Sequence, residues 1–400
     1  YTNSWFYCDF YYRKFMYNSS LIPFSSERID ELKQKIERMY SNEFLLSGNN
    51  KFQGALSRMP EWNFSGINKQ SQFYHQYVSK YREQNKKVAV IISDAFRYEC
   101  GYELKTEINS QNRYVANLDY ISSSLPSYTA LGMASLLPNN SISFVENNSD
   151  NNKISVYVDE RDSSGLLNRK SILQSVVERS DAFKYEEYIS KNVNELREIT
   201  RNNDVIYIYH NRIDLDGDRR DSELKTFEAC EKTITELKGL ISKLSSANFT
   251  QFIVTADHGF LYTEGVVHDS DFVDNPYPAD KILIKKSRFV IGHNLPDNNS
   301  FMKFKAEEIG VDGDVEIAIP KSINRLSISG SGNRFVHGGT SLQEVVIPVI
   351  QIRKTRRDDV RKVEIDIIRS PSDMITTNQL NFSLYQHEVC NENVQGRTLR

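Results

Sequence analysis

The stretch Val88-Ala-Val-Ile-Ile-Ser-Asp-Ala-Phe-Arg-Tyr-Glu99 decides the fold of this chain. Its first five residues are apolar and mostly β-branched, which predicts a strand buried on both faces at the centre of a parallel sheet. The strand ends at Asp94. In open α/β sheets the ligand site lies beyond the carboxyl ends of the strands, so the Asp94 carboxylate is placed to bind a metal or a substrate. Capping of the following helix is the competing role for this aspartate.

The composition indicates a globular protein with a substantial core. Hydrophobic residues make up 39% of the 400 residues, a length that suggests two or three domains. The apolar runs are too short to span a membrane and no signal peptide is recognisable, so a cytoplasmic location is expected. Because the chain begins at Tyr1 and ends in a polar tail, we expect it to be part of a longer protein.

Charge and cysteine content argue against two classes of protein. The net charge of −3 argues against a general attraction to nucleic acid, and we interpret the basic run within residues 353–362 as a solvated edge strand, with a nucleic-acid contact as the alternative. The cysteines show no CxxC pair and no regular spacing, which is typical of reduced, packed thiols and not of a disulfide framework. They are Cys8, Cys100, Cys230 and Cys390.

The pattern along the chain predicts three parts. Residues 1–83 are rich in aromatic residues and helical in pattern, and we interpret them as a helical support region. Residues 84–352 alternate strands with helices, as in an α/β domain, and about 260–330 form a cap or insertion over its site. Residues 353–400 predict the start of a C-terminal β-rich domain.

Within the α/β part, the expected strands after the first are Tyr114–Ile121, Val205–His210 and Gln251–Thr255. The polar residues 139–170 predict a surface excursion, and residues 172–196 predict helix. Pro348 predicts that the strand 342–350 is at an edge, because proline cannot donate a hydrogen bond to a neighbouring strand.

A hydroxyl-rich turn follows the strand Tyr114–Ile121 and opens a short apolar helix that Pro138 ends. Free backbone N–H groups and the positive end of the helix dipole surround a hydroxyl at such a helix start. That environment can bind a phosphate and lower the pKa of an alcohol, although an ordinary Ser/Thr N-cap is the commoner use of these residues.

Acidic and histidine side chains follow the later strands. Asp214-Leu-Asp-Gly-Asp218 places three carboxylates in five residues, which repel one another unless a cation or proton lies among them; a solvated turn is the alternative. Asp257 and His258 are adjacent at a strand end and can both bind one metal, while Gly259 lets the backbone turn away. His337 adds one more imidazole before a glycine pair.

Together these residues predict a site for two divalent cations. The ligands come from Asp94, the turn at Thr129, the Asp214/Asp218 loop, Asp257-His258 and His337. Mixed carboxylate and imidazole ligands favour zinc or manganese over magnesium or calcium. Two metals about 4 Å apart stabilise both the attacking and the leaving oxygen in phosphoryl transfer. Arg97, three residues after Asp94, is a candidate phosphate clamp, with an ion pair to Glu99 or exposure to solvent as the alternatives.

The order and spacing of these motifs resemble the alkaline phosphatase superfamily, and more closely its PglZ family, known from BREX phage-defence systems. The resemblance spans roughly residues 88–352. The motifs that carry it are Ile92-Ser-Asp-Ala-Phe-Arg-Tyr-Glu99, the segment Leu125–Pro138, Tyr209-His-Asn-Arg-Ile-Asp214, Thr255-Ala-Asp-His-Gly259 and the segment His337–Pro348.

The resemblance implies an alkaline-phosphatase-like, mostly parallel sheet with helices on both faces, and a division of the ligands between two metals. One metal would be bound by Asp94, Thr129, Asp257 and His258, and the other by Asp214, Asp218 and His337. Relatives have histidine where this chain has Asp218, which makes the second site richer in carboxylates and leaves its preferred metal open.

The nucleophile also has two candidates. Thr129 fits the PglZ pattern, whereas Ser124-Leu-Pro126 resembles the Thr-x-Pro turn of nucleotide pyrophosphatases. We favour Thr129.

The implied function is a metal-dependent phosphoryl hydrolase of a bacterial BREX system, similar to a phosphodiesterase or nuclease, with zinc expected first and manganese as the alternative. Its implied partners are other BREX components, such as the associated methyltransferase, and its substrate would be a nucleic acid or a nucleotide; no membrane association is expected. The alternative is a scaffold of the BREX complex that metals stabilise and that has little or no catalytic activity.

Overall fold

The computed structural model describes residues 1–22, 27–147, 153–328, 332–355, 361–368, 382–391 and 394–399. The α-helices in these ranges are α1 Phe6–Ser20, α2 Glu27–Arg38, α3 Ser47–Leu56, α4 Ser79–Glu83, α5 Tyr98–Asn109, α6 Thr129–Ser135, α7 Gly165–Val176, α8 Tyr185–Ser190, α9 Val193–Asn202, α10 Ile213–Gly217, α11 Thr226–Ser246 and α12 Leu342–Val345. Two π-helical segments cover Met39–Leu46 and Tyr74–Val78. None of the described helices combines the length and apolar character needed to cross a membrane.

The strands of the described ranges are β1 Val88–Ser93, β2 Tyr114–Ser122, β3 Ile142–Glu146, β4 Ile154–Val158, β5 Arg161–Asp162, β6 Ser180–Lys184, β7 Val205–His210, β8 Gln251–Thr255, β9 Phe272–Val273, β10 Ile282–Lys286, β11 Phe289–Gly292, β12 Phe301–Lys305, β13 Glu316–Pro320, β14 Arg325–Leu326, β15 Val346–Lys354, β16 Arg361–Lys362, β17 Ile365–Ile368, β18 Ser383–Gln386 and β19 Val394–Gln395.

The central sheet has the strand order β2-β15-β8-β1-β7-β6. Strands β8, β1, β7 and β6 pair in parallel, and β15 is antiparallel to both of its neighbours. The predicted α/β fold with a mostly parallel sheet is therefore confirmed. The first strand lies near the centre as expected, and all six of its residues are buried, since both faces of a central parallel strand are covered.

Helices cover both faces of this sheet. On one face Gly101 of α5 packs directly against Pro348 and Ile350 of β15. On the other, the Tyr207 hydroxyl of β7 donates a hydrogen bond to the Leu136 carbonyl at the end of α6, 3.0 Å away. The register of β7, β1, β8 and β15 places Tyr207 in line with Gln351, the neighbour of Ile350. Because successive side chains of a strand point to opposite faces, Tyr207 and Ile350 lie on opposite faces of the sheet.

The predicted edge position of the proline-containing strand is wrong. Residues 342–345 form α12, and β15 lies between β2 and β8 inside the sheet. Proline is tolerated because pairing with β8 begins only at Val349, so Pro348 lies just outside that ladder. The Pro348 carbonyl still accepts a hydrogen bond from the Thr255 hydroxyl, at 2.9 Å.

Two further predictions in the α/β part are corrected. Residues 139–170 are not a simple surface excursion, because β3, β4 and β5 form an antiparallel sheet whose Phe144 and Val156 side chains are buried. Residues 172–196 are not wholly helical, since β6 lies between α7 and α8 and forms the edge of the central sheet. A short edge strand carries little hydrophobic signal, which explains why the pattern missed it.

The regions before, within and after the α/β part that were predicted as separate units have different architectures. Residues 1–83 contain α1–α4, and buried aromatic residues of this region such as Tyr12 and Phe73 belong to the same hydrophobic cluster as β1. Residues 260–330 contain the four-stranded antiparallel sheet β10-β11-β13-β12. The described residues after 353 contain β16–β19, and residues 356–360 of the basic run lie outside the described ranges. The domain boundaries at 83/84 and 352/353 remain predictions.

Candidate metal centre

The carboxyl ends of β1 and β8 bring three predicted ligands together. Asp94 follows β1, and Asp257 and His258 follow its parallel neighbour β8. The His258 Nε2 atom lies 3.5 Å from Asp94 Oδ1 and 3.4 Å from Asp257 Oδ2. All three side chains are buried. These residues form a compact group that could hold one cation.

A second group lies directly beside the first and shares His258 with it. Asp214, on α10 after β7, has its Oδ1 atom 3.7 Å from His337 Nε2. The His337 ring stacks on the His258 ring with centroids 4.1 Å apart and planes at 6°. The ligand atoms of Asp214, His258 and His337 all lie within 4.8 Å of one another. The two groups are therefore adjacent, as a two-cation site requires.

Both groups contain buried polar atoms without hydrogen-bond partners, as expected for cation ligands. Within the described residues, Asp94 Oδ1, Asp257 Oδ2, Asp214 Oδ1 and His337 Nδ1 are buried without a hydrogen-bond partner. A buried acceptor without a partner costs roughly 1–3 kcal/mol, and more if it is charged. Divalent cations would satisfy these carboxylate oxygen atoms at once, and the mixed carboxylate and imidazole donor set of the two groups suits zinc or manganese.

Burial of the carboxyl groups raises their pKa values. Burial, followed by repulsion from Asp257, raises the pKa of Asp94 well above its usual range. Burial raises the pKa of Asp257 to about 7 and also raises the pKa of Asp214. In the absence of a cation these carboxyl groups therefore keep their protons to higher pH than an exposed carboxyl group does, and a cation would compete with those protons.

His258 is held in the tautomer that a metal ligand needs. Burial, and then the neighbouring His337 ring, lowers its pKa well below the usual range, so the imidazole is neutral. Its Nδ1 atom lies 2.9 Å from the Gly259 carbonyl oxygen. A carbonyl only accepts hydrogen bonds, so Nδ1 carries the proton and Nε2 presents its lone pair to the site.

Thr129 is the first residue of α6 and faces the same imidazole. Its Oγ1 atom lies 3.1 Å from His258 Nε2. The helix packs very close to β8: a Cβ atom on Gly132 would lie 2.2 Å from the Asp257 carbonyl oxygen. This close approach, which only glycine permits, brings Thr129 up to the carboxylate group.

The structure does not bring every predicted residue to the site. Arg97 is 1% exposed and forms an ion pair with Asp9, 2.5 Å between Nη2 and Oδ1, so its charge is already compensated and it does not fit the predicted phosphate clamp. Asp218 is exposed at the end of α10 and belongs to neither compact group. The Ser124 hydroxyl lies 2.7 Å from the Ser135 hydroxyl of α6 and has no described contact with His258.

The sequence pattern did not reveal the side chains that join the loops of the site, namely the loop after β8 and the turn before α6. Gln70 is fully buried; its Nε2 donates to the Asp257 carbonyl at 2.7 Å, and its Oε1 accepts from the Ser124 N–H at 2.9 Å. It thereby joins the loop after β8 to the turn before α6. No local pattern marks Gln70, because both partners are distant in sequence.

A second missed pair supports the loop that carries His337. Arg288 and Glu344 form a bidentate ion pair with N–O distances of 3.0 and 2.8 Å, and both side chains are fully buried. Glu344 also accepts the Gly339 N–H at 2.7 Å. The one local signal was Ser341-Leu-Gln-Glu344, which matches a helix capping box.

Comparison with known proteins gives a family match over most of this architecture. Residues 73–352 match the family described as the BREX system PglZ alkaline phosphatase-like domain. The alkaline phosphatase-like protein BrxZ of Escherichia coli is 40% identical over 84% of this chain and 39% of its own length. The alkaline phosphatase-like protein PglZ of Bacillus cereus is 33% identical over 90% of this chain and 42% of its own length. The chain thus spans about two fifths of the length of these curated relatives.

Among solved structures, mouse ectonucleotide pyrophosphatase/phosphodiesterase 5 is 14% identical, with a TM-score of 0.46 over 67% of this chain and 88% of that chain. A similarity this distant carries no argument about activity.

Proposed function

We propose, from the premise that the chain belongs to the BREX system PglZ alkaline phosphatase-like family, that it is a metal-dependent phosphoryl hydrolase that acts on phosphodiesters. The observation that carries the proposal is the Thr129 hydroxyl, 3.1 Å from His258 Nε2, at the edge of two groups of cation ligands. A hydroxyl nucleophile beside a preformed cation site is the arrangement that phosphoryl transfer needs.

The ligands in this proposal are those of the two adjacent groups. Asp94, Asp257 and His258 would hold one cation, with Thr129 as a further ligand. Asp214 and His337 would hold the other, and the exposed Asp218 would support it from outside the compact group. Zinc is the expected metal and manganese the alternative. Bound cations would supply Lewis-acid stabilisation of the phosphoryl oxygens and lower the pKa of the Thr129 hydroxyl.

The reaction would proceed in two transfers at Thr129. Its Oγ1 attacks phosphorus and gives up its proton, the bond from phosphorus to the leaving oxygen breaks, and the leaving alkoxide takes up one proton, so the proton count is unchanged. Water then attacks the same phosphorus, the Oγ1–P bond breaks, the phosphomonoester product leaves, and Oγ1 takes up a proton of that water. Ser124 is the less suitable nucleophile because its hydroxyl is directed to Ser135 and not to His258.

The biological setting is proposed from the family. We propose a cytoplasmic protein that works with other BREX components, such as the associated methyltransferase, and acts on a nucleic acid or a nucleotide. These proposals concern the longer protein as well as this chain, because the relatives extend well beyond the aligned region.

Hydrolysis of bis-p-nitrophenyl phosphate tests the proposal. We expect turnover with zinc or manganese, no turnover with excess chelator, and loss of turnover in Asp257→Asn. Asp269→Asn, which changes an exposed carboxylate away from the site, is the matched control and should retain full activity. Absence of metal-dependent turnover in a folded, metal-loaded protein would contradict a hydrolase. If the protein is instead a scaffold, we expect no metal-dependent turnover. Its partners should then still co-purify with Asp94→Ala and with Thr129→Ala.

A further inference from the structure

Within the described residues, one arginine without a carboxylate partner lies over the last part of β7, whereas the predicted clamp Arg97 is buried elsewhere. Arg169 lies on α7, and its guanidinium carbon lies 5.1 Å from the centre of the Tyr209 ring. Tyr209 is the next-to-last residue of β7 and pairs with Ile92, two positions before Asp94. The Arg169 guanidinium therefore lies near the carboxyl end of the sheet, where the cation ligands converge.

Tyr209 lies on the same face of the sheet as α6, which begins at Thr129. Tyr207 and Tyr209 point to the same face because they are two residues apart on one strand. Tyr207 donates to the carbonyl of Leu136, just beyond the end of α6. Tyr209, closer to the carboxyl end of β7, lies toward the start of that helix, which is Thr129. Arg169 covers this second ring and thus approaches the site from the α6 side.

The charge of Arg169 is not neutralised by any described side chain. Its Nε donates to the Ser163 carbonyl at 3.1 Å, and no described carboxylate forms an ion pair with it. The Tyr209 hydroxyl beneath it is buried and has no hydrogen-bond partner among the described residues. A free guanidinium beside an unsatisfied hydroxyl offers several donors to an anion.

We propose that Arg169 binds the phosphoryl group of the substrate, with its terminal N–H groups donating to two non-bridging oxygens. This inference rests on the proposed function, since it assigns the anion that the Thr129 site would receive. Arginine suits the role because its planar fork matches the spacing of two phosphate oxygens.

The test must separate this role from simple packing of Arg169 over Tyr209. Arg169→Met keeps an unbranched stem over the ring but removes the charge and all N–H donors. Arg169→Lys keeps the charge but not the fork. Arg161→Met, which changes an exposed arginine on β5, is the matched control for loss of one positive charge. Thermal unfolding and metal content of each variant confirm that fold and site are retained.

Titration calorimetry with inorganic phosphate on the zinc-loaded protein gives a readout that does not depend on turnover. Loss of charge-assisted hydrogen bonds should weaken phosphate binding by roughly 10- to 100-fold in Arg169→Met. Arg169→Lys should lie between Arg169→Met and wild type, and Arg161→Met should match wild type. Phosphate affinity of Arg169→Met equal to that of the Arg161→Met control, or no phosphate binding by the wild type, would overturn the proposal.

Hydrolysis measured in parallel separates this inference from the proposed function. If the wild type hydrolyses bis-p-nitrophenyl phosphate and Arg169→Met keeps both its kcat/KM and its phosphate affinity, only the Arg169 assignment fails. If the wild type hydrolyses nothing and Arg169→Met still loses phosphate affinity, the hydrolase proposal fails and the phosphate subsite stands.

Discussion

The guanidinium of Arg97 and the carboxylate of Asp9 form a fully buried ion pair that joins the first helix of the chain to the loop carrying Asp94. The hydroxyls of Tyr1 and Tyr40 also donate to Asp9, at 2.6 and 2.5 Å, so both carboxylate oxygens have partners. The region preceding the sheet therefore takes part directly in holding the first strand end of the candidate site.

Removal of the Asp9 carboxylate should destabilise the protein strongly. Asp9→Ala removes the nearest partner of the buried Arg97 charge and leaves only Glu99, whose Oε1 lies 3.8 Å from Arg97 Nε; breaking a buried pair typically costs about 3–5 kcal/mol. Urea unfolding measures the change. The control is Asp181→Ala, whose carboxylate pairs with the partly exposed Lys170 and should cost less than about 1 kcal/mol. Equal losses in the two variants would show that the buried pair has no special role in stability.

The stability of the metal-free protein, measured in excess chelator, should depend on pH because of Asp257. Its pKa is raised by burial to about 7 in the folded state, so between about pH 4 and 7 the folded protein holds a proton that the unfolded chain has released. Stability from this group is present at low pH and is lost as the pH rises through 7. His258, whose pKa burial lowers, contributes the opposite slope below about pH 6.5.

The difference in stability between wild type and Asp257→Asn reports the titration of Asp257 together with its effect on Asp94. Thermal unfolding in excess chelator should show that the wild type loses stability relative to the asparagine variant between pH 5.5 and about 7, and that the difference is then constant. A wild type that gains stability relative to the variant over this range would contradict the burial of Asp257 in a cation-free site. With metal present, affinity should rise with pH because cation and proton compete.

The sequence predicted those features that a few consecutive residues specify. Strand β1 is buried on both faces and its continuous apolar run shows this directly. Asp257 and His258 directly follow such a strand, so the rule for ligand sites at strand ends was sufficient to find them. The family resemblance rested on the same local motifs, and the match over residues 73–352 confirms it.

The features that the sequence did not reveal depend on contacts between distant segments. The nearest partner of Arg97 is Asp9, on another helix, and nothing near either residue marks that pair, whereas the weaker contact with Glu99, at 3.8 Å, is the local alternative that the sequence offered. Gln70 likewise bonds to backbone atoms far along the chain. The position of β15 was mispredicted because Pro348 indicates only that one N–H is missing, and the register with β8 leaves that position unpaired.

The two carboxylates of α10 should differ in their effect on metal binding. Asp214 Oδ1 is buried beside His337, whereas Asp218 is exposed and outside both compact groups. Asp214→Ala should lose one of two metal equivalents, and Asp218→Ala should retain both with affinity reduced by roughly 10-fold or less, in the range of an outer supporting group. Metal analysis after dialysis checks this. If Asp218→Ala loses a full equivalent, Asp218 is a direct ligand, as the family spacing implied.

Substitution of Gly132 should separate α6 from the loop after β8. In Gly132→Ala the new Cβ would lie 2.2 Å from the Asp257 carbonyl oxygen and 2.7 Å from its carbon, and backbone atoms cannot move aside as a side chain can. We expect a loss of about 1–3 kcal/mol in stability and at least a roughly 10-fold loss of kcat, because Thr129 moves with the helix. The control is Gly239→Ala on α11, where a Cβ meets nothing within 4 Å. It should stabilise the helix by about 0.5–1 kcal/mol. Unchanged activity in Gly132→Ala would show that the position of α6 does not limit the reaction.

The identity of the nucleophile gives the last prediction. Thr129→Ser keeps a hydroxyl facing His258 and should retain measurable turnover, whereas Thr129→Ala should abolish turnover with both metals still bound. Ser124→Ala removes a hydroxyl that contacts Ser135 and should change the rate little. Turnover of p-nitrophenyl phosphodiesters and metal content of the same preparations check these three outcomes.

Trapping of the phosphorylated enzyme decides between the two chemical routes. If the Thr129 hydroxyl attacks phosphorus, rapid acid quench with labelled substrate should place the label on the peptide spanning Leu125 to Pro138, and mass spectrometry should locate it on Thr129. The label should be absent in Thr129→Ala and present in Ser124→Ala. If a bound water attacks directly, no phosphorylated enzyme forms and Thr129→Ala retains an appreciable rate. Label on Ser124 would instead require the turn before α6 to rotate its hydroxyl away from Ser135, and would show that the contact between Thr129 and His258 serves cation binding alone.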